Sequence, residues 1–142
     1  MDALSEAMHD VMSGDATLAG LLSTFEGVPA ISSADVPVRG MTLPYIIIAS
    51  GPAMVPYDTK NCQGWAFSRD VRCYVSKTGS AETVMAIAER VVALFHRKPF
   101  AVSGYGVVYV VCHGPVSADT EGAYGRVVTV RGVMIQDDGR ES

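Results

Sequence analysis

The chain places a thiol directly beside an imidazole, at Cys112 and His113. In one site, these two groups could act as a nucleophile and its base, or could bind zinc. The run 107–112 is apolar and typical of a β-strand, in which neighbouring side chains point to opposite faces. The sequence therefore predicts that Cys112 and His113 serve different faces of a sheet, with Cys112 as a small buried hydrophobe.

Other arrangements with catalytic potential lack the spacing that their chemistry requires. Cys62 and Cys73 are ten residues apart, and the chain has no Cys-x-x-Cys or His-x-x-x-His pair for zinc. The segment "GYGVVY" at Gly104 resembles a dinucleotide-binding loop, but it leads from helix into strand and lacks the third glycine. Phosphate-binding GxxxxGK and nucleophile-elbow GxSxG motifs are absent from the sequence. We therefore predict no catalytic, cofactor-binding or metal-binding residues and expect the protein not to be an enzyme.

The composition limits the class of protein. A chain of 142 residues is long enough for one domain with a substantial core. Charged residues make up 18% of it, below the usual quarter, and hydrophobic residues reach 49%. So apolar a composition predicts more buried surface than a monomer offers. The net charge of -4 argues against a protein whose main task is to bind nucleic acid, because that task needs clustered Lys and Arg.

The same features point to a cytoplasmic protein. The first ten residues are acidic and lack the basic and apolar regions of a signal peptide. The apolar runs 45–49 and 107–112 are far shorter than a membrane span. Three cysteines, an odd number without a secretion signal, fit a reducing compartment.

The chemistry-poor sequence still carries clear structural patterns. Apolar residues recur at helical spacing over 3–12, and Asp15 can cap a short second helical turn. Ser80 is a good cap for a helix over 81–96, which Pro99 ends. Strands are predicted at 45–50, 65–76, 106–113 and 126–136, the last two joined by a turn-rich segment, 114–125.

This order, helix-strand-strand-helix-strand-strand, predicts an α+β fold. We expect a mainly antiparallel or mixed sheet of four to five strands with two helices packed on it. Residues 1–142 form a single domain in this interpretation, and 137–142 form a frayed acidic tail.

Most of the predicted strands are apolar on both faces. Ile46 and Ile48 oppose Ile47 and Ala49, and residues 107–111 are apolar throughout, with Val108 and Val110 expected to share one face. A sheet with one face in water should instead alternate between apolar and polar residues. Either copies of the chain or a partner cover the second face, or the N-terminal helices pack there.

Several segments, in order, resemble the tail terminator or tail completion proteins of long-tailed phages, prophages and gene transfer agents. They cover nearly the whole chain: an N-terminal helix pair, Asp35-Val36-Pro37, Leu43-Pro44-Tyr45-Ile46, "RDVRCYV" at 69–75, "KTGSAE" leading into the long helix, and "DTEGAYGRVVTVRGVMI" at 119–135. One departure is Gly125, which stands where the family often has Tyr followed directly by Arg.

The resemblance implies a non-enzymatic subunit without cofactors. Such subunits form a ring, typically of six, on the head-proximal end of the tail tube. The ring stops growth of the tube protein and meets the head–tail connector or stopper, and DNA passes through its lumen without specific binding. The implied location is the virion tail, assembled in the host cytoplasm without a membrane.

The resemblance also directs attention to two segments as contacts with ring neighbours, tube or connector. The long connection 51–64 carries Asp58 and Lys60, and the turn 114–125 carries Asp119 and Glu121. The predicted contact residues are Asp58, Lys60, Trp65, Asp119, Glu121, Tyr124 and Arg126. For either segment the alternative is a plain solvated turn. Alternatives for the whole chain are a stopper, a minor tail protein, or a small-ligand-binding ferredoxin-like enzyme or regulatory domain.

Overall fold

The computed structural model describes residues 3–33, 36–37, 39–49, 55–56 and 64–136 of the chain. In this part, the helices are α1 (Ala3–Ser13), α2 (Ala16–Ala19) and α3 (Ala81–Phe95). The strands are β1 (Thr24–Phe25), β2 (Val28–Pro29), β3 (Ile31–Ser32), β4 (Tyr45–Ala49), β5 (Val55–Pro56), β6 (Gly64–Ser76), β7 (Tyr105–Ser117) and β8 (Ala123–Gln136). The predicted acidic tail, 137–142, lies outside the described residues.

The main sheet has the strand order β3-β4-β6-β8-β7, and β5 pairs with β6 as well. β3 runs parallel to β4, while the remaining pairs in this sheet are antiparallel. β1 and β2 form a small hairpin of their own. The predicted α+β fold with a mixed, mainly antiparallel sheet is confirmed. The short strands β1, β2, β3 and β5 went unpredicted because two residues show no periodicity.

The hairpin β7–β8 is longer than the sequence predicted. The segment 114–125 was expected to be a turn, yet β7 continues to Ser117 and β8 begins at Ala123. Gly114 and Pro115, which normally end a strand, lie instead in an irregularity between the pairs His113–Thr129 and Val116–Val127. A bulge can hold a residue without an N–H and a residue with positive φ, here Gly114 at +100°, while pairing resumes beyond it.

All three described helices pack on one face of the sheet. Leu4, Met8 and Met12 of α1 are buried in the same apolar cluster as the inner stripe of α3. That stripe consists of Val84, Ile87, Ala88, Val91 and Phe95. The cluster continues into Ile46, Ile48, Val71, Cys73, Val128 and Val130 of the sheet. The alternative in which the N-terminal helices cover the second face is therefore wrong.

Asp15 fastens the N-terminal helices to α3. Its carboxylate accepts the Leu18 backbone N–H at 2.9 Å as the N-cap of α2, and forms an ion pair with Arg90 at 2.7 Å. The hydrogen bond from Arg90 holds the pKa of Asp15 below its ordinary value, against the opposite effect of burial.

No helix in the described residues is long and apolar enough to cross a membrane.

Candidate functional site

The structure separates Cys112 from His113, as predicted. Cys112 pairs with Val130 and packs half-buried against the core, whereas His113 pairs with Thr129 and is exposed on the other face. Burial raises the pKa of the Cys112 thiol to about 11 and that of Cys73 to about 12. Neither thiol is an activated nucleophile at neutral pH, because the reactive species is the thiolate. Cys62 lies outside the described residues.

The described residues contain no group of three or more His, Cys, Asp or Glu side chains that could hold a metal ion. His96, at the end of α3, has a structural contact instead. Its Nδ1 accepts the backbone N–H of Cys112 at 3.0 Å, which places the ring proton of a neutral imidazole on Nε2.

His96 and the neighbouring residue both hydrogen-bond to backbone groups on the outer edge of β7 and so cover this edge. The neighbouring Arg97, with φ of 58°, donates its backbone N–H to the Val110 carbonyl at 2.9 Å. Irregular pairing follows Val107 and again follows His113, on either side of this stretch. An edge strand interrupted and covered in this way is a poor template for pairing with another strand.

The irregularity after Val107 also corrects the predicted faces of β7. Val107 pairs with Met134 and Tyr109 with Val133, so Val108 is the extra residue. Val108 is 55% exposed while Val110 is 1% exposed, although simple alternation placed them together. The bulge shifts the alternation by one residue, which brings Tyr109 to the face away from the helices.

The face of the sheet away from the helices is open along β7 and β8. Tyr109 is 51% exposed and Val116 63% exposed there. A shallow depression of about 290 Å³ lies on this side, lined by Ala66, Phe67, Tyr109, Val111, His113, Arg131 and Gly132. We call Tyr109, Val111, His113, Val116 and Arg131 the open-face patch. At β4 the same face is already covered, since Ile47 and Ala49 are buried.

Hydrogen bonds and an ion pair within the β7–β8 hairpin hold its tip, residues 118–122, in place. Asp119 Oδ1 accepts the Gly125 backbone N–H at 2.9 Å and Arg126 Nη1 at 3.1 Å. Arg126 Nη1 also donates to the Gly125 carbonyl at 2.7 Å. Glu121 is exposed at the tip. Asp119 and Arg126 thus form one structural contact, and Glu121 is left as the acidic side chain of the tip that faces solvent.

The remaining predicted contact residues lie elsewhere. Trp65 and Tyr124 are partly buried against the core on the helix-covered face, and the Lys77 ammonium lies 5.9 Å from the centre of the Tyr124 ring. Asp58 and Lys60 lie outside the described residues. None of the described contact residues belongs to the open-face patch. The sequence predicted strands that are apolar on both faces but assigned no contact residue to this patch, and the bulge at Val108 changes which residues of β7 share a face.

A glycine at position 125 has a steric reason. A Cβ there would overlap the Ala118 carbonyl oxygen and would lie 2.9 Å from Tyr74 Cε1. The Tyr74 ring therefore lies over the glycine, and it meets Tyr45 edge-to-face with ring centres 5.8 Å apart. Only glycine leaves room for this close approach of strand, tip and ring.

No known protein family matches the sequence, and no curated protein does so either. Among solved structures, the fold is similar to that of a chain from the virion of a native gene transfer agent particle, with a TM-score of 0.76 and 20% identity. The likeness covers 93% of this chain and 94% of that one. A second solved chain is similar with a TM-score of 0.60 and 10% identity, over 95% and 94% of the two chains. At these identities the likeness is one of fold, and it extends over nearly the whole of each chain.

Proposed function

We propose that this chain is a structural, non-enzymatic subunit of a phage-type particle, and specifically its tail terminator or completion protein. In this role it forms a ring, as a hexamer, that caps the head-proximal end of the tail tube. The observation that carries the proposal is the fold shared over 93% of the chain with a component of a gene transfer agent virion. The ordered segments that resemble tail terminators support the narrower assignment.

The physical logic of a terminator follows from heterologous assembly. Identical subunits joined head to tail close into a ring when the rotation between neighbours closes. A tube end presents the surface that adds the next tube ring, so growth continues until a different ring occupies that surface. The exposed patch on β7 and β8 supplies a surface for such contacts, and Glu121 at the hairpin tip supplies another for tube or connector.

The charge of the chain suits a ring through which DNA passes. Each copy carries a formal charge of -4, so six copies carry about -24 before counterions. A ring of this sign repels phosphate and lets DNA slide without sticking. The partners in this proposal are other copies of the chain, the tail tube protein and the head connector or stopper, with no cofactor and no membrane. The location is the virion tail, after assembly in the bacterial cytoplasm.

Electron microscopy of particles made without this gene tests the proposal. We expect heads filled with DNA beside tails that are over-long or unjoined, and we expect a plasmid copy of the gene to restore joined particles of normal length. Intact lone tails of correct length would assign the chain to a head-side stopper instead. Normal-length tails joined to heads would refute a role in either step.

A further inference from the structure

The outward surface of the helices is acidic. The exposed charged side chains on α1 and α3 are Glu6, Asp10, Glu82 and Glu89. The one arginine within the three described helices, Arg90, is already paired with Asp15. Within the three described helices, this surface therefore presents exposed carboxylates and no unpaired lysine or arginine.

The opposite side of the molecule has the complementary character. His113 and Arg131 border the depression on the open face, beside the exposed apolar side chains of Tyr109 and Val116. Among the described residues of β6, β7 and β8 on this face, the acid is Asp70, which already accepts the Thr129 hydroxyl at 2.8 Å. One side of the fold is thus acidic, and the other is basic and apolar.

The closed edge of β7 narrows the ways in which two copies can meet. Strand addition at this edge would have to displace the contacts that Arg97 and His96 make with Val110 and Cys112. Packing on the sheet face requires no such displacement. Three paired strands of about 13 residues span roughly 43 by 14 Å, or about 600 Å². That area lies at the lower end of the about 600 to 1,000 Å² that each partner buries in a specific interface.

We propose that the acidic outer surface of α1 and α3 of one copy packs on the open-face patch of the next copy. The contact is heterologous, because it joins two different surfaces, and so has the symmetry that a ring requires. This inference rests on the proposed ring and specifies the surfaces that build it. Opposite charges steer the encounter and fix its orientation, while Tyr109, Val111 and Val116 provide the apolar contact.

A reciprocal charge exchange tests the interface. One variant carries H113E and R131E on the open face, and the other carries D10K and E89K on the helices. All four substituted side chains are exposed, and none belongs to the core. His113 and Arg131 also line the depression. Controls that reverse an exposed charge on residues outside the two named surfaces are Lys98→Glu, after α3, and Glu26→Lys, in the β1–β2 turn.

Sedimentation equilibrium at low salt, up to about millimolar protein, measures self-association. We expect the wild type and both controls to associate, and we expect each double variant alone to associate at least about tenfold more weakly. An equimolar mixture of the two double variants should regain association, because the reversed charges then face each other. We also expect added salt to weaken the self-association of the wild-type protein.

Two results would overturn the interface: a wild type that stays monomeric throughout, or double variants that associate as the controls do. A mixture that fails to regain association would also contradict the pairing of these two surfaces. The deletion phenotype is scored separately. Over-long or unjoined tails together with any of these results would leave the terminator function standing and remove only this interface.

Discussion

Substitution of Gly125 by alanine tests the packing between strand β8, the hairpin tip and the Tyr74 ring. The new Cβ would overlap the Ala118 carbonyl oxygen and press on Tyr74 Cε1 at 2.9 Å. Ala118 cannot simply move away, because its N–H donates to the Gly125 carbonyl at 3.0 Å. Overpacking of this kind costs typically about 1 to 3 kcal/mol. We therefore expect Gly125→Ala to lower the free energy of unfolding by about 2 kcal/mol.

Thermal unfolding followed by circular dichroism measures this cost. In a protein of this size each kcal/mol shifts Tm by about 2 to 4 °C, so the expected drop is about 4 to 8 °C. Gly122→Ala, at the tip of the same hairpin, is the matched control, since an added Cβ there meets no atom within 4 Å. Its Tm should be unchanged or slightly higher, because alanine restricts the unfolded chain more than glycine does.

A second variant separates the two steric contacts at Gly125. Tyr74→Ala removes the ring but leaves the Ala118 backbone in place, so adding Gly125→Ala to Tyr74→Ala should still lower Tm markedly. If Gly125→Ala melts within about 1 °C of the Gly122→Ala control, the close approach described for this glycine is wrong. If the cost disappears in the Tyr74→Ala background, the ring rather than the backbone causes it.

Three further predictions follow from single contacts. Asp119→Ala should lower the free energy of unfolding by about 1 kcal/mol in urea unfolding, because the Gly125 N–H loses its acceptor. Glu121→Lys should leave the free energy of unfolding within about 0.5 kcal/mol of wild type and reduce only particle assembly. Alkylation of Cys112, followed by mass spectrometry, should stay slow at pH 8 and accelerate only as the pH approaches its pKa of about 11; rapid labelling of the folded protein at pH 8 would contradict the described burial. The pKa of Asp15 is lowered by folding, so its stabilisation is present above the usual value of 3.8 and is lost as the pH falls through the folded pKa. Asp15→Ala should therefore cost stability at pH 7, and the difference from wild type should shrink in acid unfolding curves.

The helix α3 shows what the sequence could predict. Ser80 accepts the Glu82 N–H at 3.0 Å as the cap, and the apolar stripe from Val84 to Phe95 is buried as expected. The signals are local here, because a cap and a period of 3.6 residues are properties of one segment. The separation of Cys112 from His113 was predictable for the same reason, since alternation is local to a strand.

The open-face patch depended on information that one segment does not carry. A bulge at Val108 places Tyr109 on the face opposite to Val107, and the bulge exists only in the pairing of β7 with β8. Asp119 was predicted as a contact with ring neighbours, tube or connector, and that role stays a prediction. Its bonds to Gly125 and Arg126 appear only once the hairpin has closed.

The contacts of His96 and Arg97 with β7 have a consequence for the life of the chain before assembly. Residues 107–111 read Val-Val-Tyr-Val-Val, an uncharged segment without proline or glycine, which is the composition of peptides that stack into cross-β fibrils. His96 and Arg97 precede this segment in the chain, so the ribosome synthesises these two residues before the strand that they cover. Arg97 and His96 hydrogen-bond to the Val110 carbonyl and the Cys112 N–H. These two backbone groups are therefore not available for pairing with a strand of a second chain. The folded chain is thereby protected from open-ended aggregation through this edge.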